Sequence, residues 1–439
     1  MDKKILILSI SGALLVLVIG LIIFLGRVPF TPTINADLTM LGVFDDENIW
    51  DDMIYEFNGI NKNIQIDYQQ LPIDTYESAI LDRLASQQPL DLFMVHSSWM
   101  PRYATKVLPV GEINLSLKQF KDSFADVAVQ DFVSSDNQIL GVPFYGDTLA
   151  LYYNKTMFNE SGIAKPPKTW EEFMQDVEKL TVKDEQGNVL VAGAAIGTGA
   201  NINRAPDILS VLMMQTGTKM TNEDNTEATF NRLVDYQNSY FDAGQDALRF
   251  YTDFANPQKK SYTWGASKSF SYSIDAFAYA RAAMLLNYQY NRSVIDDKAP
   301  NLKYDVVNLP QISSSGVVNY ASYFGLAMPK TISQASQEAA EIFLTWLATD
   351  EAQAKYMELS GKPPINKSQI ALASDDLDLS VFATQILTAR SWFEVDNRQV
   401  DSEFINMIES VVMGKRTLKD ALDESADRLT FLMRQRNEQ

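Results

Sequence analysis

The sequence has no cysteine and a single histidine, His96, in 439 residues. The first absence removes disulfides, thiolate metal sites and cysteine nucleophiles together, and with them a lipid-modified cysteine behind a leader. The second argues against Ser-His-Asp triads and multi-histidine metal centres. Positive charge is also scarce: 37 Lys and Arg face 56 Asp and Glu, a net charge of −19. Such a surface repels the phosphates of nucleic acids and anionic lipid headgroups, so nucleic-acid binding is set aside. No ATP-binding motif is present, and Gly197-Thr198-Gly199 lacks the rest of a dinucleotide fingerprint. No cofactor and no metal are therefore expected. Short-period repeats and low-complexity linkers are missing as well.

What is present begins at the N-terminus. After Lys3 and Lys4 comes an uncharged, mostly apolar run over 5–26. As a helix it would span about 33 Å, against a hydrocarbon core of about 30 Å. It is longer than the apolar region of about 7–15 residues in a cleaved leader, and Arg27-Val28-Pro29-Phe30 stands where small residues would be needed. The segment over 1–30 thus reads as an uncleaved single-pass anchor. Lys3 and Lys4 place the N-terminus in the cytoplasm and the remainder outside, extracellular or periplasmic. No later stretch approaches 18 consecutive apolar residues. Residues 31–37 read as a tether.

The soluble part, about 400 residues, is long for one core and natural for two. The whole chain carries 23 Phe, 19 Tyr and 6 Trp. Apolar periodicity predicts a strand over 38–44, a helix from 45 through 57, a strand over 64–68, a helix over 76–86 and a strand over 90–95. That alternation implies an α/β fold with a mainly parallel sheet. The pattern restarts with a strand over 149–153. A helix follows, with Thr169 as N-cap and Glu172 completing a capping box. Residues 183–188 read as a turn between strands. Helical stretches are expected at 205–216, 229–255, 274–283 and 335–358, with two or three more over 402–435.

Five segments carry a likeness. They are Pro89-Leu90-Asp91-Leu92-Phe93; Leu140-Gly141-Val142-Pro143-Phe144 with Leu149-Ala150-Leu151-Tyr152-Tyr153-Asn154-Lys155; Pro166-Pro167-Lys168-Thr169-Trp170-Glu171-Glu172-Phe173; Arg281-Ala282-Ala283-Met284; and Gly414 through Leu422. In this order they resemble the extracellular solute-binding proteins of ABC importers, specifically the maltose-binding-protein-like, carbohydrate-binding group. The fourth segment departs from the family's pattern, with Ala280 and Arg281 where a glycine and a lysine are usual. The N-terminus departs too, since a lipidated cysteine or cleavable leader is the rule. The resemblance covers nearly all of 36–435.

It implies a two-lobed, periplasmic-binding-protein-like α/β fold with interlobe hinge crossings, preceded here by one transmembrane helix. Lobe I would take 36–145 and 309–365, and lobe II 148–307 and 366–439, with hinges near 143–148 and 307–310. Ligand would bind in the cleft, probed by closure of the lobes. The chain would act as a monomer that hands a small-molecule ligand, a carbohydrate, to ABC permease subunits in the membrane.

Ligands of α/β folds bind beyond the C-terminal ends of strands. A sugar offers hydroxyls and apolar C–H faces, so carboxylates or amides should stand beside flat aromatics. Strand ends in lobe I deliver Asp45 and then Ser97, Ser98 and Trp99, while His96 reads as a structural histidine. The first crossing adds Tyr145 and Asp147. In lobe II, Tyr288 and Tyr290 follow a buried strand, and Trp264 precedes a glycine in a loop. Tyr323 and Trp392, the latter where the family places a cleft aromatic, complete the ligand-binding set. No catalytic residue is assigned. A glycoside hydrolase is set aside for want of a recognisable pair of carboxylates at strand ends. Two other readings stay open: a membrane-anchored ligand sensor for a signalling receptor, and a binder of polyamines or peptides rather than sugars.

Overall fold

The computed structural model describes residues 34–437 apart from 87, 112–113, 237, 266–271 and 313–315. The anchor expected over 1–30 lies outside the described residues, and no helix among those described is long and apolar enough to cross a membrane.

The chain forms two lobes, each with its own core. In the first, strand Ala36–Gly42 buries Leu38, Met40 and Leu41 and runs parallel to Ile64–Gln70 on one side and Leu92–His96 on the other. Phe324–Pro329 then joins antiparallel, Phe324 opposite His96. Helix Glu47–Ile60 turns Trp50, Met53, Ile54 and Phe57 inward, the i, i+4 stripe visible in the sequence. Phe57 meets Phe343 of helix Gln334–Leu347 edge-on at 4.9 Å, and Trp50 meets Phe144 at 5.4 Å, so helices distant in sequence close over the sheet.

The second lobe departs from the parallel expectation. Its central strand Ala150–Asn154 is flanked antiparallel by Met284–Asn287 and Tyr304–Val307. Parallel pairing there is confined to isolated bridges such as Ala195 with Leu285. The predicted capping box holds: the Thr169 hydroxyl accepts from the Glu172 amide at the start of helix Trp170–Leu180.

Two helical expectations are revised. Over 229–255 the chain makes a hairpin, Val234–Tyr236 with Ser239–Phe241, before helix Ala243–Asp253. Asn238 adopts φ 62°, a left-handed turn geometry that a helix does not tolerate. The single helix expected over 335–358 is two, because Thr349 caps a new helix, Asp350–Ser360, by accepting from the Ala352 amide.

The core residues show where the chain passes between lobes. One core holds residues from Leu38 to Phe144, then Ala321 to Ile370, with Ile386 and Ala389. The other holds Leu149 to Leu309, Tyr320, Phe382 and Trp392 to Met433. Three short strands lie at the passages and pair in one sheet: Asp147–Thr148, Asn319–Ser322 in the middle, and Ala389–Arg390. The first of these strands, Asp147–Thr148, overlaps the stretch 143–148. At the second, Leu309 is buried in the second core and the passage comes later, at Asn319–Ser322, than the expected 307–310. The third was not anticipated from sequence. Gln385 links the first two, donating to Thr148 Oγ1 at 3.0 Å and accepting through its backbone carbonyl from Asn319 Nδ2 at 3.4 Å, and its side-chain oxygen accepts from the Leu309 amide at 2.8 Å.

Candidate functional site

A cavity of about 700 Å³ lies between the lobes beside this three-stranded sheet. Its first-lobe wall forms at the carboxyl ends of strands Ala36–Gly42 and Leu92–His96, where Phe44, His96, Ser97, Ser98 and Trp99 line it. Trp99 is packed edge-on against Phe324 at 5.6 Å and fixed from behind. His96 Nδ1 sits 2.8 Å from Ser98 Oγ and its Nε2 3.0 Å from Ser322 Oγ, bridging the wall to the hinge strand. Burial lowers its pKa to about 3, with Arg204 adding to the effect, so the ring is neutral.

The hinge contributes Tyr145 and Asp147. The Asp147 carboxylate accepts from the Thr148 amide at 2.8 Å, the Gln289 amide at 3.0 Å and the Tyr290 amide at 3.2 Å. It thereby locks the ligand-facing loop after strand Met284–Asn287 to the crossing. Burial still outweighs these bonds and raises its pKa to about 7.

On the second-lobe side Tyr290 is 45% exposed and stacks on Tyr288, ring centroids 5.7 Å apart and 14° from parallel. Tyr288 is fully buried and donates its hydroxyl to Asp207 at 2.5 Å. Asp207 also receives Arg204, Nη2 at 2.6 Å and Nε at 2.9 Å. Glu394 accepts from the Tyr320 hydroxyl at 2.8 Å, and Trp392, Asn397 and Asp401 complete this end. Burial, then Asp401 and Asp207, push the Glu394 carboxyl well above its usual range. Burial and Asp207 raise Asp401 to about 6.

Of the residues expected from sequence, the cavity is lined by Ser97, Ser98, Trp99, Tyr145, Asp147, Tyr290 and Trp392. Four do not line it. Asp45 turns inward, where Trp50 Nε1 at 3.0 Å, Tyr356 hydroxyl at 2.7 Å and the Lys362 ammonium claim its carboxylate. Its neighbour Phe44, at φ 67° and 56% exposed, faces the cavity instead. Trp264 is fully buried, its Nε1 donating to Asn201 Oδ1 at 3.1 Å. Tyr323 is buried too, donating to Val127 O at 3.0 Å and Asp131 Oδ2 at 2.6 Å; strand alternation gives the cavity Ser322 and hides its neighbour. Tyr288 lies one layer beneath the wall, supporting Tyr290.

Sequence reasoning brought Phe44 to the cleft with Asp45 but chose Asp45, and it missed Arg204, Asp207, Glu394 and Asp401. Arg204 and Asp207 open helix Ala205–Gln215, whose Pro206 and start were legible, and Glu394 lies two residues from the expected Trp392.

At the rim the lobes touch. Arg102, of the first lobe, pairs with Glu77 beside it and with Asp396 of the second lobe at 2.8 Å. Arg398, also of the second lobe, pairs with Glu77. Gln130 Nε2 donates to Ser391 O at 2.9 Å, and the Ser391 hydroxyl donates to Asp131. These contacts bridge the two lobes at the rim of the cavity.

Two α/β lobes joined by three hinge strands, with an aromatic and carboxylate-lined cavity between, define a two-lobed ligand-binding protein. Residues 43–354 match the family of bacterial extracellular solute-binding proteins, and the chain belongs to that family. It is 23% identical over 381 residues to a binding protein of Brucella abortus (strain 2308), covering 83% of this chain and 86% of that one. It is 26% identical over 231 residues to the multiple sugar-binding protein of Streptococcus mutans, about half of each, at 52% and 51%. In fold it is similar to the cyclic α-maltosyl-1,6-maltose binding protein of Arthrobacter globiformis, with a TM-score of 0.75 at 16% identity over 91% of this chain and 100% of that one.

Proposed function

We propose that this protein is the ligand-capturing subunit of an ABC importer, taking a saccharide into the interlobe cavity and presenting it, lobes closed, to a membrane permease. The observation that carries the reading is the pairing of ring faces with hydrogen-bonding groups across one cavity. Tyr290 and Trp392 on one side and Trp99 and Phe44 on the other offer flat apolar surface, and Ser98, Gln289 and Asn397 offer polar atoms between them. That mixture suits a sugar ring, whose C–H faces and hydroxyls point in different directions. The relatives support it, since the names of two of those compared specify sugars. Binding leaves the ligand unchanged: Asp147 and Asp207 have carboxylates occupied by backbone amides, a tyrosine and a guanidinium, an arrangement for positioning. The site is taken to comprise Ser97, Ser98, Trp99, Tyr145, Asp147, Tyr290 and Trp392 together with Phe44 and Arg204. The apolar run over 5–26 anchors the protein on the outer face of the membrane, and resistance of the protein to carbonate extraction from membranes is the result expected of that anchor.

Thermal unfolding against a panel of saccharides, polyamines and short peptides tests the assignment. A ligand at about 100 times its Kd adds about 2.7 kcal/mol to stability, which moves the midpoint by roughly 2 °C or more. Shifts with peptides alone would overturn the saccharide reading.

A further inference from the structure

We propose that the second-lobe end of the cavity, where Asp207, Glu394 and Asp401 surround Arg204, is a cation subsite that selects a saccharide bearing an ammonium group. This rests on the saccharide reading above and narrows it to a ligand class.

The charge count motivates it. Three carboxylates share one guanidinium, and the guanidinium is already committed: Arg204 makes both of its close contacts to Asp207 Oδ2, at 2.6 and 2.9 Å. Glu394 has a tyrosine hydroxyl and no cation. Asp401 has no hydrogen bond or ion pair among the described residues, although it lines the cavity. Two carboxylates therefore line the ligand space with no ion-pair partner of their own among the described residues, Arg204 acting on them only from beyond contact. In an enclosed site such a pair is costly unless a cation or a proton joins it. Burial raises both groups, and neighbouring carboxylates add to it: Asp401 and Asp207 act on Glu394, and Asp207 acts on Asp401, while Arg204 offsets only part of the rise.

A second observation points to a ligand at the same place. Trp392, only 7% exposed, lines this end, and its indole Nε1 is buried with no hydrogen-bond partner; Asn397 Oδ1, also on the wall, is likewise unpartnered. Buried polar atoms are almost always paired, so a donor and an acceptor left open beside the two carboxylates mark where ligand groups complete the network. An indole N–H fits a sugar hydroxyl or ring oxygen, and the Trp392 and Tyr290 ring faces favour an adjacent cation. A free polyamine would satisfy the carboxylates and leave the indole donor unmet, which is why an aminated sugar fits better than a bare cation.

The test is calorimetric titration of the full chain in detergent at pH 7.5 and low salt. Each of several neutral mono- and disaccharides is paired with its 2-amino-2-deoxy analogue and with the N-acetylated form of that analogue, and spermidine serves as a cation without a sugar. The expected result is at least one pair in which the amine binds tenfold or more tighter than both the neutral sugar and the acetylated form. In Asp401→Asn that preference falls to threefold or less. The same substitution should raise the unfolding midpoint of the ligand-free protein, since it removes a repelled charge, and this readout separates a lost subsite from a damaged fold. Neutral sugars that bind as well as or better than their amines overturn the cation subsite and leave the saccharide function standing. A preference for amines that survives Asp401→Asn overturns the assignment of the subsite. Binding of spermidine with no saccharide of either kind, or no binding by any of them, overturns both this proposal and the saccharide reading.

Discussion

Replacing Asp396 with asparagine isolates the charge that ties the two lobes together. Asp396 has two roles. Its carboxylate caps helix Asn397–Val412 by accepting from the Arg398 and Gln399 amides, and it accepts from Arg102 of the opposite lobe at 2.8 Å. Asparagine is as good an N-cap, so the helix start survives while the interlobe ion pair goes. The pair is about four-fifths buried on both sides, 22% and 20% exposed. That places it between a surface pair, worth about 0.2–1 kcal/mol, and a buried charge-assisted hydrogen bond, worth about 1.5–3 kcal/mol. Arg102 keeps Glu77 as a partner, so no charge is stranded and the middle of that span applies rather than its upper end. A loss of about 1–2 kcal/mol from the closed state is expected. Ligand binds the closed form, so for a ligand-free protein that is mainly open Kd rises by the same free energy, about 5–30-fold. Titration calorimetry measures it, with the ligand-free unfolding midpoint as control for the cap. Arg102→Gln should give a similar loss, and the double variant less than the sum of the two. A Kd within twofold of wild type in Asp396→Asn, with the fold intact, would refute the idea that these charges hold the lobes closed.

Other consequences follow from the same geometry. Lys362→Met leaves the buried Asp45 carboxylate, 1% exposed, without its cation and should lower stability by about 3–5 kcal/mol in urea unfolding, whatever its effect on ligand. Tyr290→Ala removes the exposed upper ring of the tyrosine stack: Kd should rise tenfold or more through loss of about 1.4 kcal/mol or more of contact, while the unfolding midpoint barely moves. Stability should increase as pH falls from 8 to about 5.5, read by calorimetry. Asp147 at about 7 and Asp131 and Asp401 at about 6 lie above their unfolded value of 3.8, so the folded protein holds protons the unfolded chain has released. Asp147 alone would contribute about 2 kcal/mol across this window, and His96, held near 3, opposes the trend below 6.5. A midpoint that climbs from pH 5.5 to 8 would contradict the burial of these carboxylates.

The parts of the fold carried by local periodicity could be read from the sequence. The stripe Trp50, Met53, Ile54 and Phe57 and the Thr169–Glu172 capping box are short-range patterns, and each lies where the residues demand. What failed depends on long-range pairing. Whether Ala150–Asn154 pairs parallel or antiparallel is decided by the return path of 284–307, which periodicity along one strand does not encode. The third crossing, at Ala389–Arg390, is two residues long and has no pattern of its own. At the site, the rule that ligands sit beyond strand ends found the loops. It could not choose between neighbours: Phe44 or Asp45, Tyr290 or Tyr288, Ser322 or Tyr323 were settled by which side chain found buried partners. Arg204 and Asp207 converge with Glu394 and Asp401 from two distant stretches of chain, so their shared charge appears only after folding.

The central claim is that one saccharide is captured between the lobes by Tyr290 and Trp392. Titration of the full chain and of the Tyr290→Ala, Trp392→Ala double variant with the best saccharide from the thermal panel tests it most directly. The account predicts one site per chain with a negative heat-capacity change in the wild type, and a Kd at least 100-fold weaker in the double variant, about 2.7 kcal/mol or more. Unchanged affinity in a folded double variant would place the ligand elsewhere and contradict the account.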